Sequence, residues 1–377
     1  KLEGVPRDLS IAGDRQAIAN DLVTEAIYEF EKLGNAVGWY DQTVAEMISM
    51  MALKHPEILK DRGARTALFV SLAITSQEMA VPKNLRLAAK AYAHFSKTGR
   101  FPLIGEGKSI KIMKLNFRKA NKLIKKLGSM DLFADFLEET FTVAELNTWL
   151  KKHLKGTEIG GENVDTAVFG SAVFGPKIGQ GFYTNLRGDF NPVTMDMWFM
   201  RTIGRLSGDL MEYDEDLFAK QSKRFIKEKN LQENIAKEIV IEKALETVRQ
   251  HEKDFKKFRK DYDSGKRKKS EAVKAASTII NSLKNLKDAP TSGGQRNNLR
   301  KVVSLAVDKF NKKTGQNIAP AAFQALIWYP EQDLYKALGV SLAYTRSDYA
   351  ASTKDLLLKE GFSEKEINKR RRRAETA

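Results

Sequence analysis

The sequence holds no cysteine, which excludes a disulfide framework, a thiol nucleophile and every metal site built on thiolates. Histidine is scarce as well. The four copies, His55, His94, His153 and His251, include no pair at the i, i+4 spacing of a helical metal site, so no metal and no cofactor is implied. No apolar run reaches the roughly 18 residues that a membrane-spanning helix needs, and no signal peptide opens the chain. The first residue is Lys1 rather than Met, which reads as a processed product or a piece of a longer protein. A hydrophobic fraction of 42% over 377 residues is still enough for a real core, so general disorder is excluded. That length accommodates two or three domains, or one large core with an appendage.

Charge is what the chain has in excess. It carries 64 Lys and Arg against 48 Asp and Glu, a formal net charge of +16. Such a field attracts polyanions, chiefly nucleic acid or anionic membrane; a merely basic protein is the bland alternative. The charge is unevenly spread. Between Glu252 and Lys301, 15 basic residues face 6 acids, a local excess of +9. The densest turn, Lys266, Arg267, Lys268 and Lys269, reads as a phosphate-contacting surface, with a solvated helix face as its competitor. The Arg370 to Arg373 run reads as a disordered arm, a targeting signal or nothing.

Apolar spacing near 3.6 residues predicts an all-α fold with hardly any strand. Helices are expected over Asp14 to Leu33, Tyr40 to His55, Ala64 to Ser76, Pro82 to about Gly99, and Lys108 to Leu127, with two more between Met130 and Leu154. The Ala64 to Ser76 helix is apolar nearly all round and so should be central and buried. The Lys108 to Leu127 helix is basic and amphipathic, and admits a membrane-surface role weakened by the lack of an aromatic-rich apolar face. A long polar helical stretch is expected from about Glu215 to Tyr262. The predicted organisation is a helical core over 1–212 and an extended basic helical region over 213–297. A C-terminal helical segment, 298–358, packs back on the core, and a basic tail follows over 359–377.

Glycine is dense between Gly156 and Gly188, which predicts tight turns or close backbone approaches. There the chain reads Phe174-Gly-Pro-Lys-Ile-Gly-Gln-Gly-Phe-Tyr, and further on Pro192-Val-Thr-Met-Asp-Met-Trp-Phe-Met-Arg-Thr-Ile-Gly-Arg-Leu206. A Gly-rich turn feeding a helix offers backbone N–H groups to a phosphate. Asp196 also reads as the N-cap of a helix starting at Met197, and Arg201 and Arg205 lie one turn apart on it.

These residues resemble the helix-hairpin-helix DNA glycosylases. Gly175, Lys177 and Gly179 look like the hairpin, within 173–182, and Pro192 to Asp196 followed by Arg201 and Arg205 looks like the catalytic-aspartate segment. The resemblance implies a helix-hairpin-helix glycosylase-like core, DNA as partner, and extrusion of a base into a pocket. It implies Asp196 as the carboxylate that stabilises an oxocarbenium-like sugar, and Lys177 as an amine nucleophile in Schiff-base members. Gly175, Gly179, Gln180, Arg201 and Arg205 would contact DNA, while Ser76, Gln77 and Trp198 would form a base pocket or wedge. Ser76 and Gln77 also read as a helix C-terminal cap. The chain departs from the family pattern at Val173, Pro176 and Trp198.

A second resemblance covers most of the chain. Trp39-Tyr40, Ala73-Ile-Thr-Ser-Gln77, Asn84, Ala88 and Ala89, with Gln324-Ala-Leu-Ile-Trp-Tyr-Pro-Glu331, look like uncharacterised helical modules of large multi-domain proteins of bacteriophages and mobile elements. It implies a place in the phage virion interior or host cytoplasm, with other virion proteins as further partners. Two functions follow: base excision from DNA at Asp196, or a non-catalytic internal or ejected virion protein. The latter would keep a degenerate glycosylase-like fold for DNA contact or packing.

Overall fold

The structure is a computed structural model that describes residues 5–33, 41–212, 215–283, 285–337 and 348–375. Trp39 and Tyr40 lie outside the described residues. The chain divides into a larger unit, 7–202 with 289–377, and a smaller one, 1–6 with 203–288. The division falls at 203 and 288, whereas composition placed it at 213 and 297.

The larger unit opens with α1 (Ala12–Leu33), α2 (Asp41–Met51), α3 (Arg62–Thr75) and α4 (Val81–Thr98). Local chemistry sets several of these ends. The Asp61 carboxylate caps α3 by accepting the Ala64 N–H at 3.0 Å. Pro82 sits in the first turn of α4, and Gly99 closes that helix in the left-handed conformation at φ 68°. As its all-round apolar sequence predicts, α3 is buried from Thr66 to Thr75. Next come α5 (Ile110–Leu127), α6 (Met130–Glu138) and α7 (Val143–His153), the last opened by a capping box between Thr142 and Glu145. Two short strands, β1 (Thr140–Thr142) and β2 (Ala167–Phe169), pair antiparallel with Phe141 opposite Val168. The core of this unit includes Leu68, Leu72, Tyr92, Phe117, Phe133 and Tyr183, each at most 1% exposed.

The glycine-dense stretch folds as a 3-10 turn, Gly170–Phe174, followed by a π-helix over Pro176–Tyr183 and the single turn α8 (Thr184–Leu186). Then α9 (Met197–Ser207) begins at the Asp196 segment. After the smaller unit the chain returns as α14 (Gly293–Thr314), α15 (Pro320–Ala337), α16 (Tyr349–Lys359) and α17 (Glu364–Glu375). The basic stretch expected as a tail is largely α17, which packs on α2. Ile367 is fully buried there, and Arg371 Nε donates to the buried Glu46 carboxylate at 2.7 Å.

The smaller unit contains β3 (Met211–Glu212), α10 (Glu215–Glu228), α11 (Lys237–Lys257), α12 (Arg259–Asp263), α13 (Glu271–Ser282) and β4 (Asn285–Leu286), with β3 and β4 antiparallel. The polar helix expected from Glu215 to Tyr262 is broken, and Asn230 turns the chain at φ 51°. The break lets α10 and α11 both pack on α13 around Phe218, Phe225, Val240, Ala244 and Ile279, so this basic region is not extended. Burying that apolar set is the physical reason for the fold-back: each large side chain contributes about 1.5–3 kcal/mol. The described residues are overwhelmingly helical, and none of their helices is long and apolar enough to cross a membrane.

Candidate functional site

Asp196 sits at the entry to α9. Its Oδ1 accepts the Phe199 N–H at 2.9 Å, and its own carbonyl accepts the Met200 N–H at 2.9 Å. That is an N-cap, the local role its position before Met197 predicted. The segment leading into the cap is clamped from two sides. Thr194 donates its N–H to Gln324 Oε1 at 2.9 Å, and the Gln324 amide donates back to the Thr194 carbonyl. Thr194 Oγ1 donates to Asn185 Oδ1 at 2.9 Å, while Asn185 Nδ2 donates to the Pro192 carbonyl at 2.9 Å.

Burial pushes the Asp196 carboxyl above the ordinary aspartate range. Four groups oppose that push without cancelling it: the Lys177 ammonium, the Phe199 and Trp198 N–H groups, and the Trp328 side chain. Lys177 thus acts on Asp196 through its charge alone, and no ion pair joins the two among the described residues. Beside them Arg201 lies over two rings, 5.0 Å from the centroid of Trp198 and 5.1 Å from that of Tyr335. Trp198 and Tyr335 meet edge to face at 5.6 Å. Arg205 falls in the smaller unit.

The expected hairpin residues are held by packing. A Cβ on Gly179 would lie 1.6 Å from the Ser171 carbonyl oxygen, so this glycine is what allows the π-helix to press against the preceding 3-10 turn. Ser171 Oγ donates to the Gly179 carbonyl at 2.9 Å. Gly175 joins the two turns at φ 102°, ψ 156°, a region open essentially to glycine alone. The Gln180 side chain accepts the Phe169 N–H at 2.7 Å. From α5, Asn116 and Lys119 donate to the Phe174 and Val173 carbonyls at 3.2 and 2.8 Å, and burial lowers the Lys119 pKa.

Ser76 and Gln77 end α3. Ser76 Oγ donates to the Ala73 carbonyl at 2.8 Å and Gln77 Nε2 to the Ile74 carbonyl at 3.1 Å, which is helix-end capping. The cavities among the described residues include two. One, of about 390 Å³, is lined by Arg62, Arg65, Glu138, Tyr183 and Arg187 among others. The other, of about 780 Å³, lies along α5. Asp196 lines neither.

A buried charge cluster stands next to the Asp196 segment. Glu162, 3% exposed at its side chain, pairs with Arg300 at 2.5 Å and with Arg296 at 4.0 Å, and Arg296 Nη1 lies 4.0 Å from Met195 Sδ. Among the described residues, Glu162 Oε2 and Arg296 Nε have no hydrogen-bond partner. The separation in sequence hid this cluster, as it hid the Gln324 clamp.

In the smaller unit the Lys266 to Lys269 turn joins α12 to α13, and all four residues are exposed. Arg267 lies 3.7 Å from the centroid of the Phe258 ring and 4.0 Å from the Asp261 carboxylate, and Lys257 lies 5.2 Å from the same ring. His251, Phe255 and Tyr262 form an aromatic cluster beside them, with Tyr262 5.3 Å from each of the other two. Among the described residues, Lys266, Lys268 and Lys269 enter no ion pair. Compared with protein-family models, curated proteins and solved structures, the chain matches none.

Proposed function

We propose that this chain is a DNA-binding protein that grips the phosphate backbone through clustered cations, without excising a base, in the manner of an internal or ejected phage virion protein. The observation that carries this reading is the Lys266 to Lys269 turn: exposed, with Arg267 over the Phe258 ring, and with three lysines free of any acid among the described residues. Phosphate contact needs such cations, and nearby rings and a stacked Arg add a platform for bases. The Asp196 geometry fits the same reading, because its carboxylate accepts the Phe199 N–H as the cap of α9, a role that serves the fold.

The test is salt-dependent binding of a labelled duplex to wild type and to the quadruple variant Lys266→Gln/Arg267→Gln/Lys268→Gln/Lys269→Gln. The slope of log affinity against log salt should fall by about three to four units. An unchanged slope removes this turn from the interface. One observation favours base excision as a second reading: Asp196, with its pKa raised, stands within the field of the Lys177 amine.

A further inference from the structure

The second cavity lies in the larger unit, between the C-terminal end of α4 and α5. Its charged lining is Arg100, Arg118, Lys122 and Lys125, with His94 beside them and no carboxylate. Among the described residues no ion pair engages Arg100, Arg118, Lys122 or Lys125. A concave surface lined by one sign of charge over apolar walls concentrates its field outward, toward an anion. The walls are apolar: Phe101, 2% exposed, stacks on Phe117 at 5.6 Å, and Leu103 is 44% exposed.

The cleft is rigidly built. Phe101 N–H donates to Asn121 Oδ1 at 2.8 Å, and Asn121 Nδ2 donates to the Phe101 carbonyl at 2.8 Å, which pins the segment carrying Arg100 to α5. Gly99, left-handed at φ 68°, turns the chain into that segment. Along α5, Lys111, Lys114, Arg118, Lys122 and Lys125 recur at three- and four-residue steps, so they form one row on the helix. The row is about 21 Å long at 1.5 Å per residue, enough to follow several consecutive phosphates. Lys119 stands apart, since its ammonium is spent on the Val173 carbonyl. The exposed apolar side chains of α5 are Ile112 and Leu115, the latter bordering the row four residues from Lys111 and three from Arg118, and two such side chains are too few to embed in a bilayer surface.

We infer that this cleft and the α5 row are a second seat for a nucleic-acid backbone, with Arg100, Arg118, Lys122 and Lys125 contacting phosphates and Leu103 meeting a sugar or base edge. The inference rests on the reading of the chain as a nucleic-acid binder. It adds a site in the other unit, distinct from the Lys266 to Lys269 turn.

The test is anisotropy titration of a labelled duplex and of its single strand against the full chain at several salt concentrations. The variants are Arg118→Gln/Lys122→Gln, the charge-keeping Lys122→Arg, and Lys266→Gln/Lys268→Gln. The cleft double variant should lower the duplex salt slope by about two, with Lys122→Arg unchanged. An unchanged slope for the cleft variant, beside a reduced slope for Lys266→Gln/Lys268→Gln, overturns the cleft alone. Absence of nucleic-acid binding by wild type overturns the wider reading as well. Inorganic phosphate at matched ionic strength should not displace the strand. Displacement from wild type that the cleft variant abolishes would assign the site to a free phosphate and overturn the polymer. If the cleft variant instead loses binding to phosphatidylserine vesicles while keeping nucleic-acid binding, a membrane surface replaces it.

Discussion

At Asp196 two roles compete for one carboxylate, and pH separates them. Burial raises its folded-state pKa above the 3.8 of a free aspartate, so between those two values the folded protein holds a proton that the unfolded chain has released. Stability therefore falls as pH rises through that window, opposite to an aspartate held in a salt bridge. Asp196→Asn should flatten this part of the pH profile of the urea midpoint; a wild type that gains stability across the window, relative to the variant, would contradict the raised pKa. Asp196→Ala also loses the acceptor for the Phe199 N–H and should cost about 1 kcal/mol. The Glu162 cluster is more sensitive. Glu162→Gln leaves Arg296 and Arg300 without their counter-charge in a largely buried place and should cost about 3 kcal/mol, read from urea melts.

Among the elements, the ones legible in the sequence are those whose ends are set locally. Pro82 and Gly99 bracket α4, and Asp196 before Met197 starts α9, because a cap or a left-handed glycine acts within a turn or so. The 3-10 turn and the π-helix were not legible, since their shape depends on the Gly179 backbone meeting the Ser171 carbonyl. Gly179→Ala should therefore cost about 3 kcal/mol or more, whereas Gly160→Ala, with open space around it, should stay within about 0.5 kcal/mol. Equal thermal shifts for the two variants would contradict that packing. The break after α10 was hidden for a different reason: Asn230 takes a left-handed conformation where no glycine or proline advertises it. Of the candidate site, the role of Asp196 as the cap of α9 could be read in advance. The Gln324 clamp, 130 residues from Thr194, could not, because no local pattern encodes a long-range amide pair.

For the whole molecule, a net charge of +16 is displayed mostly as exposed lysine and arginine on helices and turns in both units. The smaller unit relies on a modest core, so Phe225→Ala, at a fully buried position, should cost about 3–5 kcal/mol and destabilise α10, α11 and α13 as a group. Hydrogen exchange resolved by segment would show those helices losing protection together. The central claim is that the chain binds DNA by its phosphates and that Asp196 serves the fold. Its most direct test is the affinity of wild type and Asp196→Asn for a duplex carrying an abasic-site analogue, compared with the intact duplex, across a salt series. The account predicts equal affinity for the two duplexes, a steep salt slope for both, and no change on Asp196→Asn. A preference for the abasic analogue that Asp196→Asn removes would contradict it and restore base excision as the function.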